Sequence, residues 1–280
     1  MRSRCCAATL AAGLIALAIP AFSAAVRDPT GSGANTLPAN DDGSTAAVPL
    51  SFTVNFFGAN TSTVFVNNNG NVTFTSALSQ FTPNGLATGV GQPIIAPYFA
   101  DVDTRGTGSG LVTYGEGTIT DASLGWNSSP VFSVEWPAVG YYFEHTDKIA
   151  TFELLLVGRP DTGAGNFDIE FNYNTVQWET GDASGGTDGL GGVSAAVGYS
   201  NGLSGSSNVF FQLPGSLVNG ALINGGADAL ITHDLNSTVA GRYDFEVRNG
   251  VVVNMPEPGT TILLATGGLA LIVLRRRRRA

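Results

Sequence analysis

One short motif contains a residue type that could carry out hydrolytic chemistry. Residues 198–202 read Gly-Tyr-Ser-Asn-Gly and match the G-x-S-x-G pattern, in which a serine sits on a sharp turn between a strand and a helix. The chain offers two histidines, His145 and His233, as a general base. Residues 203–207, Leu-Ser-Gly-Ser-Ser, do not favour the helix that the motif requires. We therefore predict no catalytic residues and no enzyme.

Two aspartates offer oxygen ligands for a metal ion. Asp101 and Asp103 follow an apolar run, and calcium prefers carboxylate oxygens. Acids at the end of a strand also commonly cap turns, so a calcium site and plain turn residues are both open. The glycine-rich loop 182–188 offers further aspartates, but neither segment has the 12-residue loop with a final Glu. His145 lacks a second nitrogen or thiol partner for zinc. We predict no cofactor and no metal site, and leave calcium at Asp101 and Asp103 open as a weak alternative.

The C-terminal residues 255–280 have three parts in a fixed order. Residues 255–259 are Met-Pro-Glu-Pro-Gly, residues 260–274 are apolar and uncharged, and residues 275–279 are all arginine. An apolar run followed by basic residues is typical of a segment that enters a bilayer and leaves its cations on the cytoplasmic side. As a helix, the run would span about 22 Å, against about 30 Å for a hydrocarbon core. A plain transmembrane anchor and a processed tail are both open.

This order resembles the PEP-CTERM sorting tail of Gram-negative bacteria that make exopolysaccharide. The resemblance implies that Pro256, Glu257 and Pro258 are the sorting signal read by an exosortase. That enzyme would cut the tail and release or re-anchor the protein.

The N-terminal residues 1–25 have the order of a secretory signal peptide. Basic residues come first, residues 5–19 are apolar, and small residues after Pro20 allow cleavage after Ser23 or after Ala25. Cys5 and Cys6 are the only cysteines, so the mature chain would have no disulfide.

The part between the two terminal segments is strongly acidic. Residues 28–254 contain 21 acidic and five basic side chains. Such a surface repels nucleic acid and anionic lipid. We therefore expect no nucleic-acid partner.

Short runs of alternating apolar and polar residues indicate an all-β fold. Residues 167–173, Phe-Asp-Ile-Glu-Phe-Asn-Tyr, place their aromatic and aliphatic side chains on one face and their polar side chains on the other. Residues 63–66 and 72–74 flank an Asn- and Gly-rich turn and predict a hairpin. Pro93 and Pro97 are expected to move the strand at 94–99 to a sheet edge or a bend. We predict a flexible lead-in over 26–49 and one β-sandwich-like domain of many short strands over 50–252.

Several runs, taken in order, resemble the nidogen-like (NIDO) extracellular domain: 64–74, 93–103, 134–142, 151–156, 171–173 with 176–178, and 241–243. The resemblance implies extracellular matrix and cell–matrix adhesion rather than catalysis. The aromatic residues of these runs either fill the core or form a sugar-stacking platform; they are Trp136, Tyr141, Tyr142, Phe152 and Trp178.

Together, these features predict an exported protein of the cell surface, outer membrane or extracellular matrix. Its role would be cell–matrix adhesion or biofilm matrix building, with matrix or exopolysaccharide as partner and an exosortase as processing enzyme. A carbohydrate-binding surface receptor is the alternative, and a hydrolase based on Ser200 is the third. The C-terminal helix 260–274 would hold the protein at the inner membrane, transiently or permanently.

Overall fold

Turns rich in Gly and Asn divide the chain into short strands. The structure is a computed structural model that describes residues 25–253, and it contains 14 strands in this range. The strands are β1 Asn35–Thr36, β2 Val48–Phe56, β3 Ala59–Asn67, β4 Asn71–Thr73, β5 Ile94–Phe99, β6 Val102–Asp103, β7 Thr113–Asp121, β8 Trp126–Tyr141, β9 His145–Gly158, β10 Phe167–Val176, β11 Ala196–Ser200, β12 Phe210–Gln212, β13 Arg242–Arg248 and β14 Val251–Val252. Apart from three 3₁₀ turns, the described residues contain no helix. The prediction of an all-β fold is confirmed.

The strands form two antiparallel sheets. The first sheet has the order β1-β7-β8-β9-β10-β13-β14, with β6 also paired to β8, and the second has the order β12-β11-β5-β4-β3-β2. Their facing sides enclose one main core, which includes Trp136, Phe152, Phe171 and Trp178. This two-sheet arrangement is consistent with the predicted β-sandwich.

Strand β10 shows how the sequence pattern positions side chains. Phe171 pairs with Leu154 of β9 and with Tyr243 of β13, and its ring packs against Phe245 in the core. The alternation read from residues 167–173 therefore assigns the faces correctly. The polar face is nevertheless buried too, because Glu170 and Asn172 are fully inaccessible.

The predicted hairpin is present as β3 and β4, joined through residues 68–70. Gly70 has a φ of 69°. A Cβ atom at this position would lie 1.7 Å from the carbonyl oxygen of Tyr98, so only glycine fits the turn. This close approach places the Asn-rich turn directly beside the end of β5.

The strand at 94–99 contradicts one of its two predicted alternatives, the sheet edge. It lies inside the second sheet, between β11 and β4, rather than at an edge. The pairing with β11 shifts between Ala196 and Gly198, opposite Pro97. A bulge at this position accommodates a residue that has no N–H to donate.

The segment predicted as a flexible lead-in is instead joined to the domain. Arg27 forms ion pairs with Asp121 and Glu170, and β1 pairs with β7. β2, which begins at Val48, pairs with β3. These contacts are with residues far away in the sequence, so they could not be predicted from a local segment without periodicity.

The predicted signal peptide lies almost entirely outside the described residues, and the predicted sorting tail lies wholly outside them. Within 25–253, no helix has the length and apolar character needed to cross a membrane.

Candidate functional site

The two aspartates predicted as calcium ligands have different surroundings. Asp103 accepts hydrogen bonds from Arg105 Nε at 2.9 Å and Nη2 at 2.6 Å, and from the Glu144 amide at 3.0 Å. Burial acts to raise the pKa of Asp103, but these hydrogen bonds outweigh it and the pKa is lowered. Its carboxylate is therefore already neutralised by a protein cation.

Asp101 lies close to two carboxylates that the sequence did not indicate as ligands. It follows β5, is only 2% exposed, and shares a cluster with Asp41 and Asp42. One carboxylate oxygen from each of the three residues lies within 4.8 Å of the others. We call these three residues the acidic cluster. The structure thus brings Asp101 together with the N-terminal segment.

The Asn-rich turn after β3 holds the acidic cluster in place. Asn68 Nδ2 donates to the Asp41 carbonyl at 2.6 Å, and Asn69 Nδ2 donates to Asp42 Oδ1 at 2.8 Å. Asn69 Oδ1 accepts the Val102 amide at 3.0 Å. The turn that Gly70 makes possible therefore joins the two chain segments of the cluster.

The cluster contains carboxylate charge that protein groups do not fully balance. The Asp41 Oδ1 atom is buried and has no hydrogen-bond partner, although Asp41 Oδ2 lies 3.2 Å from Arg105. Burial, followed by repulsion from Asp42 and Asp103, raises the pKa of Asp41 to about 6. Burial, followed by repulsion from Asp41 and Asp42, raises the pKa of Asp101 to about 7. An oxygen-binding divalent cation would relieve both effects.

The other candidate ligands pair with one another. His145 Nε2 lies 3.0 Å from Asp182 Oδ2, and the ring of His145 stacks on Tyr141. Asp182, the first aspartate of the 182–188 loop, is therefore held by His145. Neither Asp182 nor Asp188 belongs to the acidic cluster.

Ser200 does not contact a histidine. Its hydroxyl donates to Asn208 Oδ1 at 2.9 Å and accepts the Gly202 amide at 2.9 Å. His233 Nδ1 lies 3.0 Å from the Ala229 carbonyl oxygen, and His145 is engaged by Asp182. The serine–histidine pair that nucleophilic catalysis needs is not formed by these residues.

Most of the aromatic residues considered as a sugar platform belong to the core. Trp136, Phe152 and Trp178 are fully buried, and Tyr141 is 1% exposed. The Trp136 and Phe152 rings stack at 4.9 Å. Only Tyr142 is partly exposed, so these residues do not form a stacking surface.

The described residues thus define an all-β, two-sheet domain with a partly buried acidic cluster. Comparison with known families identifies it further: the nidogen-like domain family matches residues 62–249. The chain belongs to this family, and the predicted resemblance is confirmed.

Curated relatives agree with this assignment. The chain is 36% identical over 228 residues to alpha-tectorin from Mus musculus and to alpha-tectorin from Homo sapiens, and 34% identical over 227 residues to alpha-tectorin from Gallus gallus. Each alignment covers 75% of this chain but only 10% of the relative. No solved structure matches the chain significantly. The similarity supports an extracellular, matrix-type protein.

Proposed function

We propose that this chain is an exported matrix protein whose nidogen-like domain mediates adhesion between the cell and its matrix, or builds a biofilm matrix. The family match over residues 62–249 is the observation that supports this most strongly. The contacts of Ser200 with Asn208 and Gly202 further favour a binding role over hydrolysis.

The delivery route is part of the same proposal. After export, an exosortase would recognise Pro256, Glu257 and Pro258 and remove or exchange the tail that follows. The order of Pro-Glu-Pro, an apolar run and five arginines supports this step. The product would remain at the cell surface or enter the matrix.

Calcium would stabilise the domain through the acidic cluster. Asp41, Asp42 and Asp101 supply the oxygens, whereas Asp103 is excluded because Arg105 neutralises it. The buried Asp41 Oδ1 without a partner supports a ligand at this position. A cation here would join the N-terminal segment to the end of β5.

The adhesion role is tested with matrix extracted from cells that lack this protein. The purified full chain is mixed with the matrix and sedimented, and the bound fraction is measured against chain concentration. Saturable binding is expected. Absence of binding above that of an unrelated acidic protein would contradict the proposal.

A carbohydrate-receptor role is the second candidate. It is favoured by a cavity lined by Arg242, Asp244 and loop hydroxyl groups.

A further inference from the structure

Arg242 is the one arginine or lysine, within residues 25–253, that forms no ion pair. Arg27, Arg105, Lys148, Arg159 and Arg248 all have a carboxylate within 4.0 Å. The guanidinium of Arg242 instead donates from Nε to the Ala25 carbonyl at 3.0 Å. In a domain with a large excess of acids, an arginine without an acid partner is unexpected.

The surroundings of Arg242 explain why nearby acids do not neutralise it. Arg27 donates to Glu170 Oε1 and Oε2 at 2.5 and 2.7 Å, and to Asp121 Oδ2 at 2.9 Å. Those two carboxylates are therefore held by Arg27. Burial, followed by the proximity of Glu170, raises the pKa of Asp244 well above its usual range, so Asp244 carries little negative charge at neutral pH.

Arg242 lines a cavity of about 270 Å³ whose wall is about half polar and half apolar. Hydroxyl and amide side chains from two loops face the same space; they are Ser123, Asn236, Ser237 and Thr238. Pockets for drug-sized ligands begin at roughly 300 Å³, so this cavity admits one small, ring-sized group. Its chemistry suits a hydroxylated ligand that also carries a negative charge.

We propose that this cavity binds the carboxylate-bearing sugar units of an acidic polysaccharide, with Arg242 pairing with the sugar carboxylate. The hydroxyls of Ser123, Ser237 and Thr238 line the same cavity and would bond the ring hydroxyls. The inference rests on the proposed matrix-binding function and specifies its ligand. The acidity of the rest of the domain does not prevent binding, because charges beyond about 8 Å are largely screened at physiological salt.

The test compares charged and neutral sugars on the full chain in mild detergent. D-glucuronate and D-glucose are the small probes, measured by ligand-detected NMR, and alginate and dextran are the polymers, measured by affinity electrophoresis. Glucuronate and alginate should bind, whereas glucose and dextran should bind at least tenfold more weakly, as expected from the loss of a charge-assisted hydrogen bond.

Three variants localise the binding. Arg242→Gln should weaken glucuronate and alginate binding at least tenfold. Thr238→Phe fills the cavity from another wall without changing Arg242 and should have a similar effect, which guards against a folding defect in the first variant. Lys148→Gln removes one positive charge from an ion pair with Asp147 outside the cavity and should bind like the parent chain.

Equal binding of glucose and glucuronate, no binding of either, or unchanged binding by Arg242→Gln would overturn the inference. Equal binding of poly-glutamate and alginate would also overturn it, because the site would then recognise charge without the sugar. The matrix sedimentation assay distinguishes failure of the ligand assignment from failure of the proposed matrix-binding function. If Arg242→Gln fails to alter glucuronate binding while the chain still sediments with matrix, only the ligand assignment is wrong. If the parent chain does not sediment, the proposed function itself fails.

Discussion

Asp101 and Asp41 place carboxylate oxygens within 4.8 Å of each other, although one follows β5 and the other precedes β2. Two like charges this close disfavour ionisation of both groups. Burial, followed by repulsion from Asp41 and Asp42, raises the pKa of Asp101 to about 7. Burial, followed by repulsion from Asp42 and Asp103, raises the pKa of Asp41 to about 6. Asn68 and Asn69 join the N-terminal segment to the second sheet at this point, so a ligand here would affect the stability of the whole domain.

Calcium should therefore raise the melting temperature of the chain. If the affinity is in the range of extracellular calcium modules, roughly 10⁻⁴–10⁻³ M, then 5 mM calcium should add about 1–2 kcal/mol and a few degrees. Differential scanning fluorimetry with calcium and with a chelator measures the shift.

Asp101→Asn should abolish the calcium shift. Asp182→Asn is the matched control, because Asp182 is paired with His145 outside the acidic cluster, and it should retain the shift. A parent chain with no response to millimolar calcium would exclude the metal site.

Arg27→Ala should be strongly destabilising. Glu170 is fully buried and Arg27 supplies two of its hydrogen bonds, so the variant leaves a buried carboxylate without its cation. The expected loss is about 3–5 kcal/mol in the free energy of unfolding, measured by urea denaturation. Lys148→Ala removes the more exposed pair with Asp147 and should change stability by less than about 1 kcal/mol. Equal effects of the two substitutions would show that Arg27 is not the counterion of the buried face.

Stability should fall as pH rises from about 5 to about 8. Burial raises the pKa of Glu153 to about 8, above its value of about 4.3 in an unfolded chain. Glu135 on β8, Glu170 on β10, Asn172 on β10 and Arg27 of the N-terminal segment surround it. The folded chain therefore binds more protons than the unfolded chain across this window, which makes the slope of unfolding free energy with pH negative. Asp41 and Asp101 contribute with the same sign below about pH 7.

Glu153→Gln should flatten that slope, because glutamine keeps an acceptor for the Arg27 amide and does not titrate. One group can contribute at most about 1.4 kcal/mol per pH unit. Urea denaturation at several pH values between 5 and 8 gives the slopes. A variant with the same slope as the parent chain would show that Glu153 does not carry this proton.

Gly70→Ala should prevent correct folding or destabilise the domain by several kcal/mol. The added Cβ would overlap the Tyr98 carbonyl oxygen at 1.7 Å, and neither backbone can move freely inside the sheets. Gly58→Ala is the control, because its φ of 84° is also positive but nothing lies within 4 Å of the added atom. The control should cost about 1–2 kcal/mol. Similar unfolding midpoints for both variants would contradict the steric explanation.

Local sequence pattern predicted those parts of the fold that depend on local contacts. The alternation at 167–173 assigned the inner face of β10, and the Asn–Gly turn identified the β3–β4 hairpin. The burial of Glu170 could not be read from alternation, because the covering residue Arg27 lies far away in sequence. Pro97 indicated a sheet edge or a bend, and it lies in the sheet interior at a shift in strand register.

The candidate metal site illustrates the same limit. Asp101 could be selected because it ends an apolar run, and Asp103 was selected with it on spacing alone. Adjacent Asp41 and Asp42 were a weak signal in a segment without periodicity. Only the tertiary contact through Asn68 and Asn69 reveals that they belong beside Asp101.

The most direct test of the account is the intact mass of the native protein after cell fractionation. We predict that the protein is recovered from the cell surface, the matrix or the medium, with a mass that lacks the N-terminal signal and ends near Pro256–Pro258. Glu257→Ala should accumulate in the membrane fraction with Arg275–Arg279 retained. A native protein in the cytosol that keeps both terminal segments would contradict export and sorting. A native protein in the membrane fraction that lacks the N-terminal signal but retains Arg275–Arg279 would show that the C-terminal segment is a plain membrane anchor and not a sorting tail.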